Sequence, residues 1–224
     1  MKYVFCVLIG YAIGCINPSY LIGKLRGFDV RMRGSGNAGA SNAVITMGQG
    51  TGIFCALLDM AKAFFAVVLS RVLFEAAPLT AEIIGSACIL GHIFPFYMRF
   101  RGGKGLACLG GMILAFDWRV FLILLALAII AVLVIDYICV VPISAAILYP
   151  LIYGAMTKKW LGAFVFCVAS AAILLRHAEN IRRIRAGTEL RFSYLWNKDT
   201  EIKRVEANRC LNEEKKSRKL REHE

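Results

Sequence analysis

Hydrophobic residues along this chain gather in long blocks, without the alternation or the one-sided periodicity of a water-soluble core. The blocks cover Tyr3–Leu25, Gly52–Phe74, Ala81–Phe100, Gly105–Phe116, Val120–Ile135, Ile138–Met156 and Leu161–Leu175. A bilayer's hydrocarbon layer is crossed by about 20 apolar residues in helix, so each block reads as a membrane helix. The fourth, fifth and seventh are short, and tilt, local thinning or half-insertion would accommodate them. The pattern therefore predicts an all-α fold, a polytopic membrane helix bundle of about six or seven transmembrane helices, with seven preferred. Asp59 and Lys62 lie inside the second block, spaced to neutralise each other on one helix face, and His92 in the third block reads as a packed, hydrogen-bonded residue.

Polar residues fill the gaps, and their charge sets an orientation. Lys24, Arg26, Arg31 and Arg33 follow the first block, Arg99, Arg101 and Lys104 follow the third, and most other cations follow Arg176. Lys and Arg accumulate in cytoplasmic loops, which predicts an outside N-terminus, a cytoplasmic C-terminus and a multi-pass protein of the bacterial cytoplasmic membrane. The formal net charge of +12 is then a topology signal plus attraction to anionic membrane lipids. It gives no reason to expect nucleic acid as a partner, since no groove-reading motif accompanies it. The eight cysteines stand singly without metal-ligand spacing, so free thiols are expected, with no metal and no cofactor. The first block lacks a clear cleavage site and reads as a retained helix. Residues 1–190 are expected to form the membrane domain. Residues 191–224 are expected to form a polar cytoplasmic tail, a solvated surface helix with (i, i+4) ion pairs or a partly disordered stretch.

Three segments between blocks carry candidate chemistry, and the orientation puts all three on one side. Gly34-Ser35-Gly36-Asn37-Ala38-Gly39-Ala40-Ser41-Asn42 is built almost wholly of small residues. Glycines there allow backbone N–H groups to turn inward as a nest for phosphate or a developing oxyanion. Arg101-Gly102-Gly103-Lys104-Gly105 precedes an apolar run, so its amides can lie at a helix start, where the dipole favours anions. The third segment holds His177, Asn180, Arg182, Arg183 and Glu189 at the end of the last block. If helical, it presents His177 and Asn180 on one face.

With these residues laid out, the chain resembles the bacterial integral-membrane glycerol-3-phosphate acyltransferases that use an acyl-phosphate donor. The family motifs stand here as Ser35-Gly36-Asn37-Ala38-Gly39-Ala40-Ser41-Asn42, as Gly102-Gly103-Lys104-Gly105-Leu106-Ala107-Cys108, and as His177-Ala178-Glu179-Asn180-Ile181-Arg182-Arg183 with Gly187-Thr188-Glu189. The resemblance implies a seven-helix bundle that transfers a long-chain acyl group from acyl phosphate to the 1-hydroxyl of glycerol 3-phosphate, giving lysophosphatidic acid and phosphate. It implies Ser35, Lys104, His177 and Asn180 as the catalytic group. Gly36, Asn37, Gly39, Ser41, Asn42, Gly102, Gly103, Gly105, Arg182 and Glu189 are implied as the substrate and phosphate ligands. The enzyme that makes the acyl phosphate is an implied partner. His177 or a substrate phosphate oxygen would take the hydroxyl proton.

The chain departs from the family at five places, one of them Ser41, which replaces a usual threonine but keeps its hydroxyl. Ile45 stands where the family usually has an arginine, Cys139 and Pro142 stand where it tends to have serines, and Cys108 replaces a threonine. A divergent acceptor or low activity is one alternative these changes raise. A small transporter of organic anions or phosphate esters is the alternative from another class.

Overall fold

The computed structural model describes residues 1–75 and 77–221, with 215–221 described by backbone alone. The described elements are helices and short 3-10 turns, with no strand among them. The first apolar block is not one helix. It forms α1 (Lys2–Cys15) and α2 (Pro18–Leu25), because Pro18 has no N–H to donate and holds the preceding residue in extended backbone. Asn17 caps the second piece, its Oδ1 accepting the Tyr20 N–H at 2.9 Å. The break frees carbonyls within an apolar environment, and Lys62 meets that need. Its ammonium donates to Gly14 O at 3.0 Å and to Ile16 O, and it lies 2.7 Å from Asp59 Oδ1 and 3.1 Å from His92 Nδ1.

Lys62→Met is accordingly expected to destabilise the fold by about 3–5 kcal/mol, because it strands a buried carboxylate and two carbonyls at once. A large drop in the thermal midpoint of the detergent-solubilised protein would register it.

The short α3 (Ala40–Met47) leads through Gly48, at φ 93°, into the long α4 (Gln49–Leu73). α5 (Thr80–Ile93) ends sooner than its apolar block suggests, since Pro95 stops the helix and Phe96–Met98 turn as 3-10. α6 (Leu106–Phe116) has only 11 residues; α7 (Trp118–Ile135), α8 (Val140–Thr157) and α9 (Trp160–Arg185) follow. Six of the described segments are long and apolar enough to cross a membrane, α1 and α2 counting as one, and α6 is the shorter apolar seventh. α9 runs ten residues past the expected end of the last block, so the third motif is helical.

Glycines set how closely these helices approach. A Cβ on Gly10 or Gly14 of α1 would strike the carbonyls of Ile84 or Cys88 on α5, and one on Gly91 would strike Tyr11 O; on Gly111 of α6 it would strike Met60 O of α4. Such small-residue contacts replace the hydrophobic drive that is missing between helices in lipid. Phe166, Met112, Ile89, Ile93 and Ile173 fill the centre. α7 has no fully buried residue: Val120, Phe121 and Leu124 pack against the core, and most of its remaining surface is left to lipid.

Of the two forms expected for the tail, the helix is the one observed, α10 (Lys198–Arg221), but it is not a detached appendage: Arg204 and Asn208 bind backbone carbonyls of the third motif. The connection before it is anchored as well: Ser193 N–H and Oγ–H both donate to the Asp136 carboxylate at 2.8 Å.

Candidate active site

The first glycine segment is held from behind by Asn42. This side chain is wholly buried: Oδ1 accepts the Ser35 N–H at 2.7 Å, while Nδ2 donates to the carbonyls of Val30, Arg33 and Asn37. Its hydrogen-bonding capacity goes to the loop itself, so the expectation that Asn42 binds substrate gives way to a bracing role. Gly34 and Gly36 take φ of +59° and +74°, which L side chains rarely adopt, and a Cβ on Gly34 would run into Asn42 Oδ1. Asn17 ties in the same loop from α2, donating to Ala38 O at 3.0 Å. Arg31 is also committed to structure. It pairs with Asp29 at 2.7 Å, reaches Met98 O at 2.7 Å, and holds the Asp29 carboxyl below the usual range. The loop then enters α3 at Ala40; the Asn42 N–H already donates to Gly39 O at 3.1 Å, which leaves the Ala40 and Ser41 amides without a helical partner.

The second segment shows a similar division of labour. Gly102 N–H donates to Ile93 O and Gly103 N–H to His92 O, each at 3.0 Å. Neither amide is left for phosphate, which corrects the expectation that these two glycines cradle it. They are glycines because the chain runs hard against α5. A Cβ on Gly103 would overlap the His92 ring and one on Gly102 would overlap His92 O. Gly105, at φ +88°, then turns the chain into α6. Lys104 is left between this turn and the cavity.

The third segment meets it there. Lys104 Nζ donates to Asn180 Oδ1, Asn180 Nδ2 donates to Glu189 Oε1 at 2.5 Å, and Arg183 Nε donates to Glu189 Oε2 at 2.7 Å. Burial pushes the Lys104 ammonium below the ordinary lysine range; Arg183 and Arg176 add to that shift, while Glu189 and Glu179 oppose it. His177, 3% exposed, directs Nδ1 to Ile173 O at 2.8 Å. A carbonyl only accepts, so Nδ1 carries the proton and Nε2 keeps its lone pair.

Ser35, Gly36, Asn37, Gly39, Ser41, Lys104, Gly105, His177, Asn180 and Glu189 all line one cavity of about 1030 Å³. Asn42, Gly102, Gly103 and Arg182 do not. Arg182 points to solvent, and Arg183 stands at the cavity in its place. The helical wheel carried that signal: Arg183 continues the His177–Asn180 face at a further step of three, and Arg182 falls on the far side. Ile45, Cys139 and Pro142 also line the cavity, as Ser41 does, so every departure from the family pattern except Cys108 sits in its wall. The starts of α3 and α6 both open onto it, giving two helix dipoles positive toward the same space. With Lys104, they suit a ligand carrying phosphate. At the wall of the same cavity Asp59 and His92, with Cys108 behind them, bring ligand-type atoms within 4.8 Å of one another, and the Lys62 ammonium supplies positive charge against the first two.

The profile of the family described as glycerol-3-phosphate acyltransferase matches residues 4–187. The chain is 38% identical over 183 residues to glycerol-3-phosphate acyltransferase 2 of Thermotoga maritima, covering 81% of this chain and 92% of that one. It is 34% identical over 205 residues to glycerol-3-phosphate acyltransferase 1 of Oceanobacillus iheyensis, covering 88% and 99%. Among solved structures it is similar to the glycerol 3-phosphate form of PlsY (YgiH), an integral membrane glycerol 3-phosphate acyltransferase, with a TM-score of 0.80 and 32% identity over 87% of this chain and 98% of that one. The lysophosphatidic acid form of the same protein gives a TM-score of 0.73 at 31% identity, over 87% and 97% of the two chains.

Proposed function

The chain belongs to the glycerol-3-phosphate acyltransferase family, and from that premise we propose its reaction in full: a long-chain acyl group passes from an acyl phosphate to the 1-hydroxyl of glycerol 3-phosphate. The hydroxyl oxygen bonds to the acyl carbon, the bond from that carbon to the phosphate oxygen breaks, and the hydroxyl proton ends on the released phosphate. The products are lysophosphatidic acid and inorganic phosphate. The observation behind this reading is that Lys104, His177, Asn180 and the starts of α3 and α6 share one cavity. An acyl phosphate is a mixed anhydride with a good leaving group. The protein therefore has mainly to place two phosphates and stabilise an oxyanion, which a buried cation and helix-start amides do well.

In this reading Lys104 neutralises phosphate, held in place by Asn180 and Glu189. His177 Nε2 accepts the hydrogen bond of the attacking hydroxyl and orients it. Ser35 and Ser41 present their side chains, and Gly36, Asn37, Gly39 and Gly105 their backbone, to the phosphates. Residues 1–190 form the acyltransferase domain of a multi-pass bacterial cytoplasmic membrane protein, with the cavity facing the cytoplasm and 191–224 as its polar tail. The donor comes from the enzyme that makes acyl phosphate.

The test is direct. The purified protein in detergent, given palmitoyl phosphate and glycerol 3-phosphate, should release phosphate and form lysophosphatidate in equal amounts. No turnover would overturn the assignment, and equal turnover with a palmitoyl thioester would overturn the donor. Ile45, 37% exposed at the cavity, offers no charge to an anion. Ile45→Arg should lower the acceptor KM about tenfold, the effect of one charge-assisted hydrogen bond. An unchanged KM would show that this wall does not face the acceptor phosphate.

A further inference from the structure

The family match ends at residue 187, yet the helix beyond it is built into the site. α10 uses one face to cap α9. Arg204, Asn208 and Asn212, spaced four apart, donate to the carbonyls that α9 and the turn after it leave without helical partners: Arg204 to Gly187 O at 2.7 Å and Glu189 O at 2.6 Å, Asn208 to Gly187 O at 2.9 Å, and Asn212 to Ala186 O at 3.0 Å. A guanidinium at a helix C-terminus also meets the negative end of the dipole. Arg204 is itself fixed by Glu201, which is 4% exposed, at 2.8 Å, and Glu201 accepts the Arg191 N–H at 3.3 Å. The Arg204 pair holds the Glu201 carboxyl below its usual range. A neighbouring face of the same helix, with Ile202, Val205, Glu206 and Arg209, lines the cavity that contains Lys104 and His177.

We propose that α10 is a working part of the active site and that Arg204 is a positioning residue for acyl transfer. It acts through the turn it clamps: Arg204 fixes the Glu189 backbone, the Glu189 carboxylate fixes Asn180 and Arg183, and Asn180 fixes Lys104. The proposal rests on the reaction assigned above only for its rate measurements. The charged and titratable groups around Lys104 are Arg176, His177, Glu179 and Arg183 on α9 and Glu189 just beyond it, with the Cys139 thiol facing from the start of α8. Releasing the turn withdraws Glu189, which favours the cationic lysine, and leaves the arginines, which disfavour it.

The test compares wild type, Arg204→Ala, Arg204→Lys, Glu189→Gln and the double variant Arg204→Ala/Glu189→Gln, all as full chains in detergent. Arg204→Ala should lower kcat/KM for glycerol 3-phosphate about tenfold or more, since small misplacements of a catalytic group are costly. It should also move the alkaline limb of the kcat/KM profile to lower pH. Arg204→Lys keeps the charge but cannot bridge two carbonyls as a planar fork does, and should recover only part of the loss. In the Glu189→Gln background Arg204→Ala should add little. A change under twofold, an unmoved alkaline limb, or full additivity with Glu189→Gln would overturn the proposal. Hydrogen exchange across 180–190 supplies a readout without turnover: faster exchange confined to that stretch in Arg204→Ala supports the clamp, and unchanged exchange refutes it. An inactive wild type with that same exchange response would refute the reaction and leave the clamp standing.

Discussion

Lys104→Met is expected to reduce kcat/KM for acyl transfer by about 10²–10³-fold, the range seen when one preorganised group that stabilises developing charge is removed. Methionine keeps the unbranched stem, one atom shorter, and removes the charge, so the loss should appear with little change in thermal midpoint. A steady-state assay of phosphate release checks it, and a reduction below tenfold would take Lys104 out of the chemistry. The wild-type pH profile is the companion measurement. Burial lowers the Lys104 pKa, so the required cation is lost as pH rises through a value below that of a free lysine. The alkaline limb of kcat/KM, which reports the free enzyme, should therefore begin earlier than an exposed lysine would give. Bound phosphate should push that limb back up in kcat.

Gly103→Ala is expected to be nearly as damaging by a different route. The added methyl would overlap the His92 ring. That ring is 3% exposed and packed against Asp59 and Lys62, so it has no room to yield. Overpacking of this kind costs about 1–3 kcal/mol, and here the cheapest relief is to push the chain outward next to Lys104. An ångström of displacement at such a group can cost about 10²-fold in rate. Activity should fall by that order, with a midpoint shift too small to account for it. A variant with full activity would mean the turn tolerates movement and that Lys104 placement does not depend on it.

Much of this site was legible in the sequence because the chemistry is concentrated in three short segments. Small residues beside Lys104, and His177 with Asn180, marked the segments as candidate chemistry, and the positive charges put all three on one side, where the structure has them share a cavity. Other features were hidden because they depend on partners far along the chain. Gly102 and Gly103 looked like phosphate ligands, and only the position of His92 shows that their amides are spent. Asn42 looked like a ligand until its four internal hydrogen bonds were visible. The break at Asn17 was marked by Pro18, but the Lys62 ammonium that makes it tolerable lies 45 residues away from Asn17. The tail misled because its mixed charges resemble a solvated helix. The stripe of Arg204, Asn208 and Asn212 acquires meaning only when the end of α9 is set against it.

The brevity of α6 limits where its two ends can lie. Eleven residues of helix rise about 16 Å, roughly half of the hydrocarbon thickness. A helix of that length cannot cross the layer by itself, so the turn that carries Lys104 and the far end of α6 cannot both lie at the headgroups. Polar backbone at whichever end is sunk in hydrocarbon has to be satisfied by neighbouring helices instead of water, as the Gly102 and Gly103 amides are by carbonyls of α5.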